Sequence, residues 1–148
     1  MSSFNFWQKW LFAVSSIMAA LGLFIALFNR SQIFDCVFNN QINPTFWIEN
    51  AVVPGIIDFQ SWIYGVLGAT VAGWGILMTF IAKYPFKEKQ KWSWNCLALA
   101  TILWFVVDTS ISIYFRVYFN AVFNTILFLA ITLPLLFTRR YFIPAARG

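Results

Sequence analysis

The sequence predicts an all-α integral membrane protein: a bundle of four transmembrane helices with short interfacial or capping helices in its first outer loop. Hydrophobic residues make up 61% of the 148 residues and charged residues only 10%, against about 25% charged in an ordinary soluble domain. Four apolar stretches are each long enough to cross about 30 Å of hydrocarbon, which takes about 20 helical residues. A spanning segment must satisfy its own backbone hydrogen bonds, which a helix does and an isolated strand does not.

The predicted spans form a single membrane domain over residues 1–148. They cover about residues 8–29, 62–83, 94–115 and 119–138, with an outer loop at 30–61 and an inner loop at 84–93. The first span is longer than the apolar core of a secretory signal, which is about 7–15 residues, so we expect it to be retained.

The basic residues are distributed unevenly between the two ends of the spans. Of the ten Lys and Arg residues, only Arg30 and Arg116 fall on the outer side, which leaves eight on the other. Short basic loops resist translocation, so we predict that both termini are cytoplasmic, in an inner or plasma membrane. Because the basic residues flank the spans, membrane lipids are expected partners and nucleic acid is not.

Composition excludes several kinds of site. The chain contains no His, which removes His-ligated zinc and haem and any His-based proton relay. Cys36 and Cys96 fall at opposite ends of the spans and are therefore not expected to form a disulfide. Since no nucleophile is paired with a base, we predict no catalytic residue, no metal and no cofactor, and we do not expect an enzyme.

The outer loop at 30–61 is too apolar for a solvated linker, and Pro54-Gly55 interrupts any long helix in it. We expect this loop to fold back over the outer end of the bundle. It would serve as an interfacial anchor, as a lid over an outward-facing pocket, or as a docking surface for another subunit.

Small residues recur along the second span. Gly65, Ala69 and Gly73 follow at four-residue spacing, beside Gly68, Ala72 and Gly75, and the first span carries a matching strip of Ser15, Ala19, Gly22 and Ala26. Small residues at this spacing let helix backbones approach closely in lipid. We therefore predict that Gly65, Ala69 and Gly73 mark the tightest helix contact of the bundle, with a pocket floor or an inter-subunit contact as the alternative.

Asp108 is the only acidic residue well inside a predicted span. A carboxylate at that depth is costly unless it is paired, protonated or hydrated, so such residues usually face the bundle interior and mark a function. Asp108 lies eight residues from Arg116, about 12 Å at the helical rise. Gly22 and Gly68 fall at the same depth and would leave room for water or a small ligand, unless their helices close on the carboxylate.

Polar side chains gather in the outer half of the predicted bundle. They follow Asp108 along one face of the third span and recur one turn apart in the fourth. The predicted pocket residues are Asp108, Trp104, Ser112, Asn124, Asn120, Arg116, Gly68 and Gly22. Because the polar side chains lie in one half of the bundle, they favour an outward-facing polar pocket over a continuous transport path through the membrane.

Three roles are open for Asp108. In the first, Asp108 is a structural residue that is hydrogen-bonded to Ser112, Thr109 or Asn124. In the second, it is the counter-ion for a cationic or hydroxyl-bearing ligand, and Trp104 forms a stacking wall. In the third, it is a proton carrier coupled to transport. The first function hypothesis is accordingly the binding or passage of a small molecule. The second is a non-catalytic accessory subunit of a larger membrane complex, or a homo-oligomer.

Pro134 lies in the last turns of the fourth span. Because proline has no amide proton, the carbonyl of Ala130 is predicted to lack its helical hydrogen bond, with a kink near the cytoplasmic end.

Overall fold

The computed structural model describes residues 3–47 and 54–143, and every regular element in these two ranges is helical. The long helices are α1 (Ser3–Phe28), α4 (Pro54–Lys83), α5 (Lys91–Tyr114) and α6 (Tyr118–Thr138). Between α1 and α4 lie α2 (Gln32–Phe34), a π-helical segment (Asp35–Asn39) and α3 (Asn40–Phe46), and a 3-10 turn (Arg139–Tyr141) follows α6. The predicted all-helical class is thus confirmed for the described residues. Residues 48–53 of the predicted outer loop and the last predicted basic residue, Arg147, lie outside them.

Each of the four long helices is long and apolar enough to cross a membrane. Only 17% to 28% of the residues in their most apolar windows are buried inside the protein, and large side chains such as Leu27, Leu103 and Val122 are exposed. Exposing apolar surface to water costs about 25 cal/mol per Å². The outer faces of these helices therefore suit a surround of lipid or of other apolar helices.

α4 begins eight residues before the predicted second span, at Pro54. The prediction that Pro54-Gly55 interrupts any long helix is wrong, because α4 contains both residues in its first turn. Proline is compatible with the first turn of a helix, where its missing amide proton would be unpaired in any case. α4 therefore includes residues 54–61, which the sequence assigned to the outer loop.

The long helices pack side by side in the order α4, α1, α6 and α5, and α4 makes only slight contact with α5. The most extensive interface joins α1 to α4. A Cβ atom added to Gly22 would lie 2.7 Å from the Cα of Ala72, and one added to Gly75 would lie 2.8 Å from the Cα of Ala19. At these glycines the two backbones are in direct contact, as small-residue packing in lipid allows.

The contact face of α4 is not the predicted one. It runs through Gly68, Ala72 and Gly75, which are buried. Ala69 and Gly73 are exposed, and nothing lies within 4 Å of a Cβ built on Gly73. Gly65 reaches only the edge of the interface, 4.0 Å from the carbonyl oxygen of Ala26. The predicted strip of α1 does take part, through Ala19, Gly22 and Ala26.

Residues 31–46, which we call the cap, cover one end of the bundle. The ring of Phe34 lies 6.2 Å from that of Phe24 in α1 and 5.0 Å from that of Tyr64 in α4. Phe38 contacts Phe119 of α6 at 6.0 Å. The cap is therefore held against three of the long helices by aromatic contacts, and it contains the short helices that the sequence predicts for this loop.

Pro134 lies inside α6, and its missing amide proton leaves the carbonyl four residues earlier without a helical partner; the predicted kink stays a prediction. The carbonyl of Ala130, four residues earlier, instead accepts a hydrogen bond from the indole Nε1 of Trp10 in α1, at 3.0 Å. One turn further on, the Thr138 hydroxyl donates to the Pro134 carbonyl at 2.6 Å. α1 is thus tied to α6 at the residue where α6 has lost a bond of its own.

Candidate functional site

The Asp108 carboxylate is surrounded by hydrogen-bond donors from α5 and α6. Its Oδ1 accepts from Nδ2 of Asn120 and of Asn124, both at 2.9 Å. The same oxygen accepts from Oγ of Ser112 at 3.2 Å, and Oδ2 accepts from Nε1 of Trp104 at 3.2 Å. All four donors are neutral, so they satisfy the oxygens of the carboxylate without cancelling its charge.

The donors are held in place by bonds among themselves. Asn120 Nδ2 also donates to Ser112 Oγ at 2.8 Å, and the single hydroxyl proton of Ser112 is shared between Asp108 Oδ1 and the nearer Asp108 carbonyl, at 2.8 Å. Asn124 Nδ2 contacts the Thr109 hydroxyl at 3.4 Å. Ser112 and Asn124 are only 6% and 2% exposed. The cluster is therefore fixed before any ligand arrives.

The sequence places this cluster through two helical spacings and one tight turn. Trp104, Asp108 and Ser112 recur every four residues on α5, and Asn120 and Asn124 do so on α6, which puts each set on one helix face. The turn between the helices is only three residues long, from 115 to 117. It brings the two faces together at the same level.

A cavity of about 120 Å³ lies beside Asp108 and beneath the cap. Three of its lining residues, Asp108, Asn120 and Asn124, belong to the hydrogen-bonded cluster. Six others are aromatic: Phe34, Phe38, Tyr64, Trp74, Trp104 and Phe123. At about 30 Å³ for each water molecule, the cavity has the volume of about four waters. It is well below the roughly 300–1,000 Å³ of pockets that hold drug-sized ligands.

A larger space of about 730 Å³, the α4–α5 groove, lies where α4 and α5 make little contact and is open to the surroundings. The cavity and the groove have five lining residues in common: Leu67, Val71, Trp74, Trp104 and Asp108. Within this shared wall the rings of Trp74 and Trp104 lie 5.3 Å apart. The carboxylate is therefore flanked by a small cavity beneath the cap on one side and by a larger, open apolar groove on the other.

Three predicted pocket residues lie elsewhere. Gly22 and Gly68 are buried in the α1–α4 interface and line neither space. The backbone of the opposing helix packs directly against each glycine. The predicted space for water or a small ligand beside these two glycines is therefore absent. Arg116 is exposed in the turn between α5 and α6, with a left-handed backbone (φ 62°).

Tyr64 and the aromatic residues of the cap were absent from the predicted pocket. Tyr64 lines the cavity and also a polar pocket of about 380 Å³ at the cap end. In that outer region Arg30 donates to Asp58 Oδ1 at 2.6 Å and to Ser61 Oγ at 2.9 Å. The signal available in the sequence was the polar, Asn-rich character of the loop beside an unusually aromatic segment.

Within residues 3–47 and 54–143 no group of three or more His, Cys, Asp and Glu side chains is placed to hold a metal ion. Comparisons with models of known protein families, with characterised proteins and with solved structures gave no match. The Asp108 cluster and its two neighbouring spaces are therefore the features of the protein that bear on its function.

Proposed function

We propose that the protein binds a small cationic molecule at Asp108. The observation that carries this proposal is the donor set around the carboxylate. An ionised carboxylate is an acceptor only, and all four of its side-chain contacts come from neutral donors. Among the described residues, no Lys or Arg forms an ion pair with it.

A charge removed from water is costly unless an opposite charge lies beside it. Hydrogen bonds from neutral donors offset part of this cost but leave the net charge in place. A cation in the adjoining cavity would supply the missing charge directly against the carboxylate. Its attraction is strongest where water is excluded, as beneath the cap.

We further propose that the protein lies in a membrane with the cap outside and both termini in the cytoplasm. The end opposite the cap is strongly basic. Its basic residues are Lys9, Lys83, Lys87, Lys89, Lys91, Arg139 and Arg140. This distribution favours a cytoplasmic position for that end. A juxtamembrane basic cluster of this kind also attracts anionic lipid head groups, at about 1 kcal/mol per residue.

Binding is favoured over passage through the bundle. On the side of Asp108 away from the cap, the interior consists of apolar residues such as Leu11, Met18, Leu97 and Ile131. Thr101 is buried there, and its hydroxyl has no hydrogen-bond partner. A polar route would need a succession of partners for its cargo, but the other buried hydroxyls of this region, those of Ser15, Ser93 and Thr138, already donate to backbone carbonyls.

The proposal is tested by the thermal stability of the detergent-solubilised protein with a small cation. A ligand that binds the folded state raises the melting temperature, so tetramethylammonium chloride should raise it above the value in equal sodium chloride. Tert-butanol, a neutral molecule of similar shape, should not. Asp108→Asn should abolish the rise, and Asp58→Asn, at an exposed carboxylate of the cap end, should preserve it. Equal responses of wild type and a folded Asp108→Asn variant would refute the proposal.

A second candidate function is that of an accessory subunit in a larger membrane assembly or homo-oligomer. The specific observation in its favour is the open face of α4, where Ala69 and Gly73 are exposed at a spacing that suits close helix packing. Native mass spectrometry of the mildly extracted protein tests it. Stoichiometric association with other subunits or copies supports this function, and a lone monomer contradicts it.

A further inference from the structure

We infer that the ligand at Asp108 is an amphiphile with a methylated ammonium head, which occupies the cavity, and an apolar chain, which lies in the α4–α5 groove. This inference rests on the proposed function and names the ligand class of the same site. Its three parts are the size of the head, the chemistry of the head, and the place of the chain.

The cavity limits the size of the head. A volume of about 120 Å³ equals about four water molecules at about 30 Å³ each, which admits a group of about four or five heavy atoms. A ring system of drug size does not fit. Any larger part of the ligand must therefore lie outside the cavity.

The cavity wall selects the chemistry of the head. Oδ1 of Asp108 is approached by three donors and Oδ2 by one, so each oxygen already has a hydrogen-bond donor and the ligand does not have to supply one. Trp74, Trp104 and Tyr64 are among the six aromatic residues of the wall. Aromatic rings attract cations at their faces, and aromatic cages are a recurring means of binding methylated ammonium groups. A methylated ammonium head has a positive charge and no strong hydrogen-bond donor, so it suits both the carboxylate, which already has donors, and the aromatic wall.

The α4–α5 groove provides the place for the chain. It adjoins Asp108 through the wall shared with the cavity, and most of its lining is aliphatic, as at Leu67, Leu103 and Val107. The Thr70 hydroxyl in this groove donates to the carbonyl of Val66 at 2.9 Å and so presents no free donor. The cap covers the cavity from above, through Phe34 and Phe38. The groove opens instead between two apolar helices, at the level of the acyl chains in a bilayer.

The test compares two probes on the full-length protein in maltoside micelles: tetramethylammonium, which is the head alone, and dodecyltrimethylammonium, which adds a chain. Native mass spectrometry measures the occupancy of each probe during titration. We expect the long probe to bind at least tenfold more tightly than the short one. Asp108→Asn should weaken both probes at least tenfold.

Two neighbouring residues of α4 provide a matched pair for the groove. Thr70 and Ala69 are both exposed, but only Thr70 lines the groove. Thr70→Phe should reduce the affinity of the long probe to that of the short probe and leave the short probe unchanged. Ala69→Phe should change neither. Melting curves of every variant establish that it is folded.

The outcomes separate this inference from the proposed function. If the short probe binds in an Asp108-dependent way but the chain adds nothing, or if Thr70→Phe leaves the long probe unaffected, the amphiphile inference is refuted while cation binding at Asp108 stands. If neither probe binds, or if a folded Asp108→Asn variant binds both probes as tightly as the wild type, the amphiphile inference and the proposed function are both refuted. If Asp108→Asn does not fold, the chain-length comparison and the matched pair still decide the inference.

Discussion

Replacing Gly68 by Ala should weaken the contact between α1 and α4. The added Cβ would lie 2.6 Å from the carbonyl oxygen of Gly22 and 2.8 Å from the Cα of Ala26. Ordinary contact begins at 3.4 Å, and the amide nitrogen of Ala26 lies closer to the added Cβ than either of these atoms, so the two helices must separate by more than about 0.8 Å (3.4 − 2.6) at this level. The opposing atoms belong to the backbone and have no rotamer to change. Overpacking of this kind costs about 1–3 kcal/mol.

Gly73→Ala is the matched control, since a Cβ on Gly73 meets nothing within 4 Å. Both substitutions gain the same helix propensity, up to about 1 kcal/mol, and this gain cancels when the variants are compared. Reversible unfolding in mixed micelles of maltoside and dodecyl sulfate, followed by circular dichroism, gives the two free energies of unfolding. We expect Gly68→Ala to be less stable than Gly73→Ala by about 1–3 kcal/mol. Equal stabilities would show that the α1–α4 interface does not depend on backbone contact at Gly68.

Three further predictions concern the polar contacts and the orientation. Trp10→Phe should lower the free energy of unfolding by about 1–3 kcal/mol, because it leaves the Ala130 carbonyl without a hydrogen-bond donor. In a Pro134→Ala background this loss of stability should disappear. A loss that persists in that background would contradict this account. Asn124→Leu should cost about 1–3 kcal/mol in the same unfolding assay, since it removes a buried donor from the partly buried carboxylate of Asp108. An unchanged stability would mean that the carboxylate does not need this bond. A membrane-impermeant maleimide added to right-side-out vesicles should label Cys36 and not Cys96, both of which are exposed in the isolated protein; the reverse pattern would overturn the proposed orientation.

The spans and the position of the carboxylate were predictable because they depend on local patterns. Apolar length defines a spanning helix whatever its neighbours are. The four-residue spacing of Trp104, Asp108 and Ser112 places them on one face of any helix. For this reason the carboxylate, its donors from α5 and the two Asn residues of α6 could be grouped from the sequence.

The face of α4 that meets α1 was not predictable in the same way. Gly65, Ala69 and Gly73 recur every four residues, and their neighbours Gly68, Ala72 and Gly75 recur after four and three residues. Both spacings put small residues on one helix face, so periodicity gives two faces of nearly equal merit. The choice depends on how α1 rotates against α4, which is a tertiary property. It puts Gly68 and not Gly73 against the opposing backbone.

Apart from Trp104, the aromatic wall of the cavity was also beyond reach of the sequence. Its rings come from the cap, α4, α5 and α6, as Phe34, Tyr64, Trp104 and Phe123 illustrate. In a chain in which 21% of residues are aromatic, no single ring stands out. Their convergence depends on the rotation of all four segments, and local spacing carries no information about it.

The slight contact between α4 and α5 gives the bundle one side that yields more easily than the others. The remaining sides are held by bare backbone contact between α1 and α4 and by the bond from Trp10 to α6. In a bilayer, the weaker side would bear the lateral pressure of the surrounding acyl chains. If the protein lies in a membrane and binds its ligand as proposed, acyl chains adjoin the opening beside Asp108, and we expect lipid composition to change the affinity of the site without any change to the polypeptide.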